Sequence, residues 1–171
     1  MTIETLKILL RFILLMLIQV LLLNHINFSG FINPMLYTLA LLMVPFEVSI
    51  VSGMIIGFIT GISLDYFMNS AGMHASACVL MMYVRPRLLK AFGPRDGYEP
   101  EAQPSIKTMG NMEFLYFSFF MVIIHHSALF FIEAFSMQHF FFTVGRIILS
   151  TIFTVLLVNI TQYIMYQTKT R

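Results

Sequence analysis

Six apolar runs, at 6–26, 33–46, 48–68, 71–85, 114–135 and 139–166, occupy most of the 171 residues. A helix needs about 20 apolar residues to cross the hydrocarbon core of a bilayer. Four of the runs reach that length, and the two at 33–46 and 71–85 fall short of it. Hydrophobic residues make up 58% of the chain and charged residues 11%, against about 45–50% and 25% in soluble domains. The one long polar stretch, 93–113, carries Pro94, Pro100 and Pro104 with Gly93, Gly97 and Gly110, which break helices. No room is left for a separate soluble domain. The expected fold is all-α: a single domain, residues 1–171, forming a polytopic bundle of six transmembrane helices with 93–113 as a cytoplasmic loop.

Charge placement orients the bundle. The first run follows Lys7 and Arg11, as in a signal peptide, but Asn24, His25, Ile26 and Asn27 offer no small-residue cleavage site. It reads as an uncleaved first span. The short run 33–46 opens with Asn33 and Pro34, an N-cap followed by proline at the first helical position, and closes at Pro45. It reads as a short full crossing, because otherwise Arg85, Arg87 and Lys90 would lie outside. Lys7, Arg11, Arg85, Arg87, Lys90, Arg95, Lys107, Lys169 and Arg171 then share one side, and only Arg146, of ten Lys and Arg, lies within a span. The positive-inside rule puts both termini in the cytoplasm.

Within this frame Gly53, Gly57, Gly61 and Asp65 recur every fourth residue, forming one ridge on a helix. Small residues at that spacing admit a second helix backbone, so the ridge and Gly72 are candidates for helix packing or for a partner's contact. Asn69 to Gly72 form a turn, and a second helix runs to Arg85, where Pro86 is expected to stop it. Leu88, Leu89 and Phe92 among Arg87 and Lys90 suggest a separate short helix on the membrane surface.

Polar groups inside spans are the candidates for function. Glu133 and Arg146, near the same end of consecutive spans, are expected to form a buried ion pair, with Asp65 the competing partner. His126 shares a helix face with Glu133 and is expected to be buried in hydrogen bonds. The histidines lack metal-site spacing, and Cys78 is the one cysteine, which excludes an intramolecular disulfide. No GxSxG or GxxxxGKS pattern is present, and a net charge of +2 without a basic stripe argues against nucleic acid. The residues call for neither a catalyst nor a cofactor.

The short proline-opened NPMLY, the run from Gly53 to Asp65, the turn with Gly72 and His74, and a helix ending in arginines together resemble the MreD family of rod shape-determining membrane proteins. The likeness is strongest over residues 33–90; beyond that it lies in hydropathy and in HH…LFFIEAFS at His125–Ser136. The resemblance implies a non-enzymatic component of the cell-wall elongation complex. It implies association with a bitopic MreC-like protein and, through it, with MreB-like filaments, a RodA-like glycan polymerase and a transpeptidase. It also implies a fold similar to the substrate-binding subunits of energy-coupling-factor transporters, and so an alternative function: binding a vitamin-like small molecule in an outward pocket.

Overall fold

The structure, a computed structural model, describes residues 3–25, 31–93, 97, 102–135 and 140–167. Every regular element among them is helical: α1 (Ile3–Leu21), α2 (Thr38–Leu42), α3 (Ile50–Met68), α4 (Met73–Phe92), α5 (Ile106–Met109), α6 (Asn111–Ala134) and α7 (Phe140–Gln167), with a 3-10 turn at Leu23–His25. Among the described residues three helices are long and apolar enough to cross a bilayer: Ile50–Met68, Asn111–Ala134 and Phe140–Met165. Their outward faces are mostly hydrocarbon. On α3 these are Val51, Ile55, Phe58, Ile59 and Ile62, and on α7 Ile148, Ile152, Leu156 and Ile160.

The core is the segment that the sequence made a short crossing. Only Thr38–Leu42 of 33–46 is α-helical, and Met35 to Val44 are buried throughout. Its N-cap is Tyr37, which makes no side-chain cap bond, rather than Asn33. The reason lies in the surroundings. Irregular backbone at membrane depth survives only where protein satisfies its polar groups, and here three helices and the loop do so. Gln19 of α1 donates to the Pro34 carbonyl (3.1 Å) and accepts from the Tyr37 amide (3.4 Å). From α7, Ser150 and Thr154 accept the amides of Asn33 and Met35, each at 3.0 Å. At the far end the Arg85 guanidinium, 2% exposed, donates to the carbonyls of Val44 and Pro45. The Phe46 amide donates to the Ala102 carbonyl (3.0 Å), which draws the polar loop onto the bundle.

α3 and α4 pack along their length, as the glycine ridge requires. A Cβ on Gly57 would stand 2.8 Å from the Cys78 carbonyl oxygen, and one on Gly61 would fall into the backbone of His74 and Ala75. At Gly53 it would meet only the flexible tip of Met82. Gly53, Gly57 and Gly61 therefore face the partner helix of their own hairpin and present no free ridge. Gly72 packs against nothing: it is the α4 N-cap with φ +87°, a backbone that favours glycine.

α4 does not stop at Arg85 but continues through Pro86 to Phe92. Leu89 is buried and Phe92 stacks on Phe120 of α6, ring centroids 5.3 Å apart, so the expected surface helix is instead the last turns of α4 held by α6. Tertiary contacts here outweigh the local effect of one proline. In the polar loop, Ser105 and Thr108 form a capping box on α5, and Arg11 of α1 reaches the Gln103 amide oxygen at 3.0 Å. Residues 94–96 and 98–101 of that loop, and the expected cytoplasmic tail at Lys169 and Arg171, lie outside the described residues.

Candidate functional site

The polar side chains gather at the end of the bundle that carries the α3–α4 turn. Asp65, 5% exposed, is the hinge of this end. Its carboxylate accepts from the Ser70 hydroxyl (2.6 Å) and from the first amides of α4, His74 (3.0 Å) and Ala75 (2.9 Å). Those amides are orphan donors at a helix start, and a carboxylate also suits the positive end of the helix dipole. Asp65 thus serves as a cap supplied by the preceding helix, and this fixes where His74 stands.

His74 belongs to a buried hub that sequence reasoning missed. The Tyr37 hydroxyl lies 2.6 Å from His125 Nε2 and 3.1 Å from His74 Nδ1, and the Cys78 thiol lies 3.8 Å from both the hydroxyl and His125 Nε2. Tyr37, Cys78 and His125 are wholly buried. A tyrosine hydroxyl donates once, so one imidazole must donate to it. His125 Nδ1 has no partner among the described residues. A buried lone pair left unpaired is tolerated better than a buried N–H. This assigns the His125 proton to Nε2, which donates to Tyr37; Tyr37 donates to His74 Nδ1, and His74 carries its proton on Nε2. The sequence signal was present in Tyr37, a polar tip inside a short apolar segment, and in the i, i+4 pair His74 and Cys78 on α4.

His126 is buried as expected. It bonds the Val122 carbonyl through Nδ1 (3.0 Å) and Thr154 Oγ1 through Nε2 (3.3 Å), and so helps hold the hydroxyl that receives Met35.

Glu133 and Arg146 do meet: Glu133 Oε1 accepts from Nη1 and Nη2 of Arg146, each at 3.1 Å. The pair is not buried, however, with side chains 39% and 21% exposed. The pair lies where α6 ends and α7 begins. Arg146 also stacks over the Phe130 ring, 4.4 Å from its centroid, and with the Asn33 amide turned to suit the network its oxygen accepts from Nη2 (2.7 Å) and Nε (3.2 Å). Asp65 takes no part. A part-exposed pair couples by about 1 kcal/mol rather than the several of a fully buried one. Glu133→Ala and Arg146→Ala are therefore expected to be non-additive by about that amount in a double-mutant cycle read by thermal unfolding. Strict additivity would mean the contact contributes nothing.

Between these groups lies a cavity of about 260 Å³, bounded by the end of α1, the segment at 33–35, the α3–α4 turn and α6 and α7. Its walls carry Gln19, Asn24, Asn33, Asn69 and Ser70, with His74 on one side and Glu133 and Arg146 on another. Among the described residues no group of three or more His, Cys, Asp or Glu is placed to hold a metal ion. A second hollow, of about 630 Å³ and almost wholly apolar, runs on the outside of the hairpin between α3 and α4, along Met54, Phe58, Ile62, Gly72, Ser76 and Leu80.

No family model matches the chain, and neither a curated protein nor a solved structure does.

Proposed function

We propose that this chain is a non-enzymatic scaffold of the cell-wall elongation complex, similar to the MreD family, and that it works by seating the single membrane helix of an MreC-like partner. The groove between α3 and α4 carries this reading. It lies on the hairpin with the strongest family likeness, faces where lipid would be, and offers Gly72 and Ser76 one turn apart, so a helix backbone can approach closely. Through that partner the chain would act on MreB-like filaments, a RodA-like polymerase and a transpeptidase. Ser76 is exposed and among the described residues its hydroxyl bonds only the Gly72 carbonyl, so a large residue there fills the groove without entering the core. Ser76→Phe is expected to lower recovery of a co-expressed MreC-like protein at least about tenfold, with unchanged yield of the chain itself. Undiminished recovery would remove the groove from the reading.

The reading includes six crossings, with both ends of the chain in the cytoplasm of an inner-membrane protein. The absence of Lys and Arg near the α3–α4 turn, against Arg85, Arg87 and Lys90 at the other end of α4, supports this orientation. A periplasmic phosphatase fused at Ser70 is expected to be active and one fused at Gln103 inactive; the reverse would overturn the topology. A second reading, a small-molecule-binding transporter subunit built like those of energy-coupling-factor systems, draws on the polar cavity beside His74.

A further inference from the structure

We infer that the cavity beside His74 binds a neutral carbohydrate unit of about one sugar ring. The inference builds on the second reading above and is independent of the helix groove. Four observations lead to it. The first is capacity. At about 260 Å³ the cavity lies just under the roughly 300–1,000 Å³ of sites for drug-sized molecules, so it suits a smaller ligand.

The second is charge. Arg146 and Glu133 cancel across the rim. The guanidinium is already committed: Nη1 and Nη2 go to Glu133, Nη2 and Nε to Asn33, and its face lies on Phe130. Little is left to bind an anion, and a cation at Glu133 would lie against Arg146. The ligand is therefore uncharged.

The third is the set of free polar atoms. Glu133 Oε2 bonds no other described residue and offers an acceptor. On the opposite wall the hydrogen-bond order running from His125 through Tyr37 leaves His74 Nε2–H as a donor without a protein partner among the described residues. Asn69 adds an amide, which both donates and accepts, and Asn24, whose oxygen already accepts from Gln19 Nε2 (2.9 Å), adds its amide donors. A ligand that accepts at one wall and donates at the other, without charge, needs several hydroxyl groups on a compact frame.

The fourth is rigidity. His74 is fixed by the hydrogen bond its backbone amide donates to Asp65 and by the one its ring accepts from Tyr37, so its donor is set before the ligand arrives.

Two sources supply this chemistry: a free monosaccharide, or the sugar headgroup of a glycolipid entering from the membrane surface. The test uses the full chain in a detergent without a sugar headgroup, with methyl β-D-glucopyranoside and N-acetyl-D-glucosamine as soluble probes. A second arm uses nanodiscs containing monoglucosyl diacylglycerol. A ligand of this size binds with a dissociation constant on the order of 1 mM. At ten times that concentration the melting temperature is expected to rise by about 3–6 °C. Sugars also stabilise proteins generally by being excluded from their surfaces, so the deciding comparison is with Glu133→Gln, which replaces the Oε2 acceptor with a donor and is uncharged. Its unliganded melting temperature reports whether it folds. Asn24→Leu serves as the second variant; because it also removes the oxygen that accepts from Gln19, its unliganded melting temperature is read first in the same way.

Each variant is expected to weaken binding by about tenfold. A rise confined to the soluble probes, or to the glycolipid discs, assigns the source. No rise in either arm, or an equal rise in wild type and both variants, overturns the site. Either result leaves the partner groove standing, because Ser76→Phe tests that separately.

Discussion

Gly61→Leu is expected to prevent the α3–α4 hairpin from closing. The first atom of any side chain at this position would occupy the backbone of His74 and Ala75. Backbone cannot rotate aside as a side chain can, so the helices must separate. Overfilling a packed core costs about 1–3 kcal/mol where side chains yield, and this site lies at or beyond the upper end of that range. The consequences would spread, because the same turn of α4 supplies His74 to Tyr37 and Ala75 to Asp65. Gly57→Leu should act the same way with a smaller effect, since the obstacle there is one carbonyl and the yielding Met82 side chain. Ile55→Leu, on the exposed face of α3, is the control and should change nothing measurable. Yield after detergent extraction and the unfolding midpoint would rank the three. Indistinguishable Gly61→Leu and Ile55→Leu proteins would show that the hairpin does not pack this way.

The second large effect is expected at Asp65. Asp65→Leu removes an acceptor from three donors at once: Ser70 Oγ and the amides of His74 and Ala75. A hydrogen bond to a charged group contributes about 1.5–3 kcal/mol, and loss of a helix cap about 0.5–2 kcal/mol. These overlap here, so a loss of about 3 kcal/mol is expected rather than their sum. Asp65→Asn keeps one oxygen at nearly the same place and turns the other acceptor into a donor facing an amide. About half the loss should follow. Thermal unfolding with His74 amide exchange as a local probe would check both. Unchanged protection at His74 in Asp65→Leu would contradict the cap. The result also separates two uses of the same carboxylate, since a residue needed only for a partner would leave exchange at His74 untouched.

Much of the design is present in the linear sequence. The apolar lengths fix α3, α6 and α7, because a run of that length and hydropathy has few places to go except a membrane. The four-residue spacing of Gly53, Gly57 and Gly61 fixes a closely packed helix pair, because on a helix that spacing is a face. The closeness of Glu133 and Arg146 was also foreseeable, from opposite charges near a shared turn. Their depth was not, because exposure depends on where neighbouring helices end. The tertiary structure alone decides the rest. The segment from Asn33 to Phe46 shows the difference most clearly. Its apolar residues look like a short crossing, yet its backbone is broken, since Gln19, Ser150, Thr154 and Arg85, distant in sequence, satisfy the groups a helix would have paired within itself. The Tyr37 hub has the same origin: residues 37, 74 and 125 share no local period and meet only because three elements converge. Periodicity records which side of one helix is buried. It carries no information about which polar atom on another helix waits there, and at membrane depth the choice between regular and broken backbone depends on that atom.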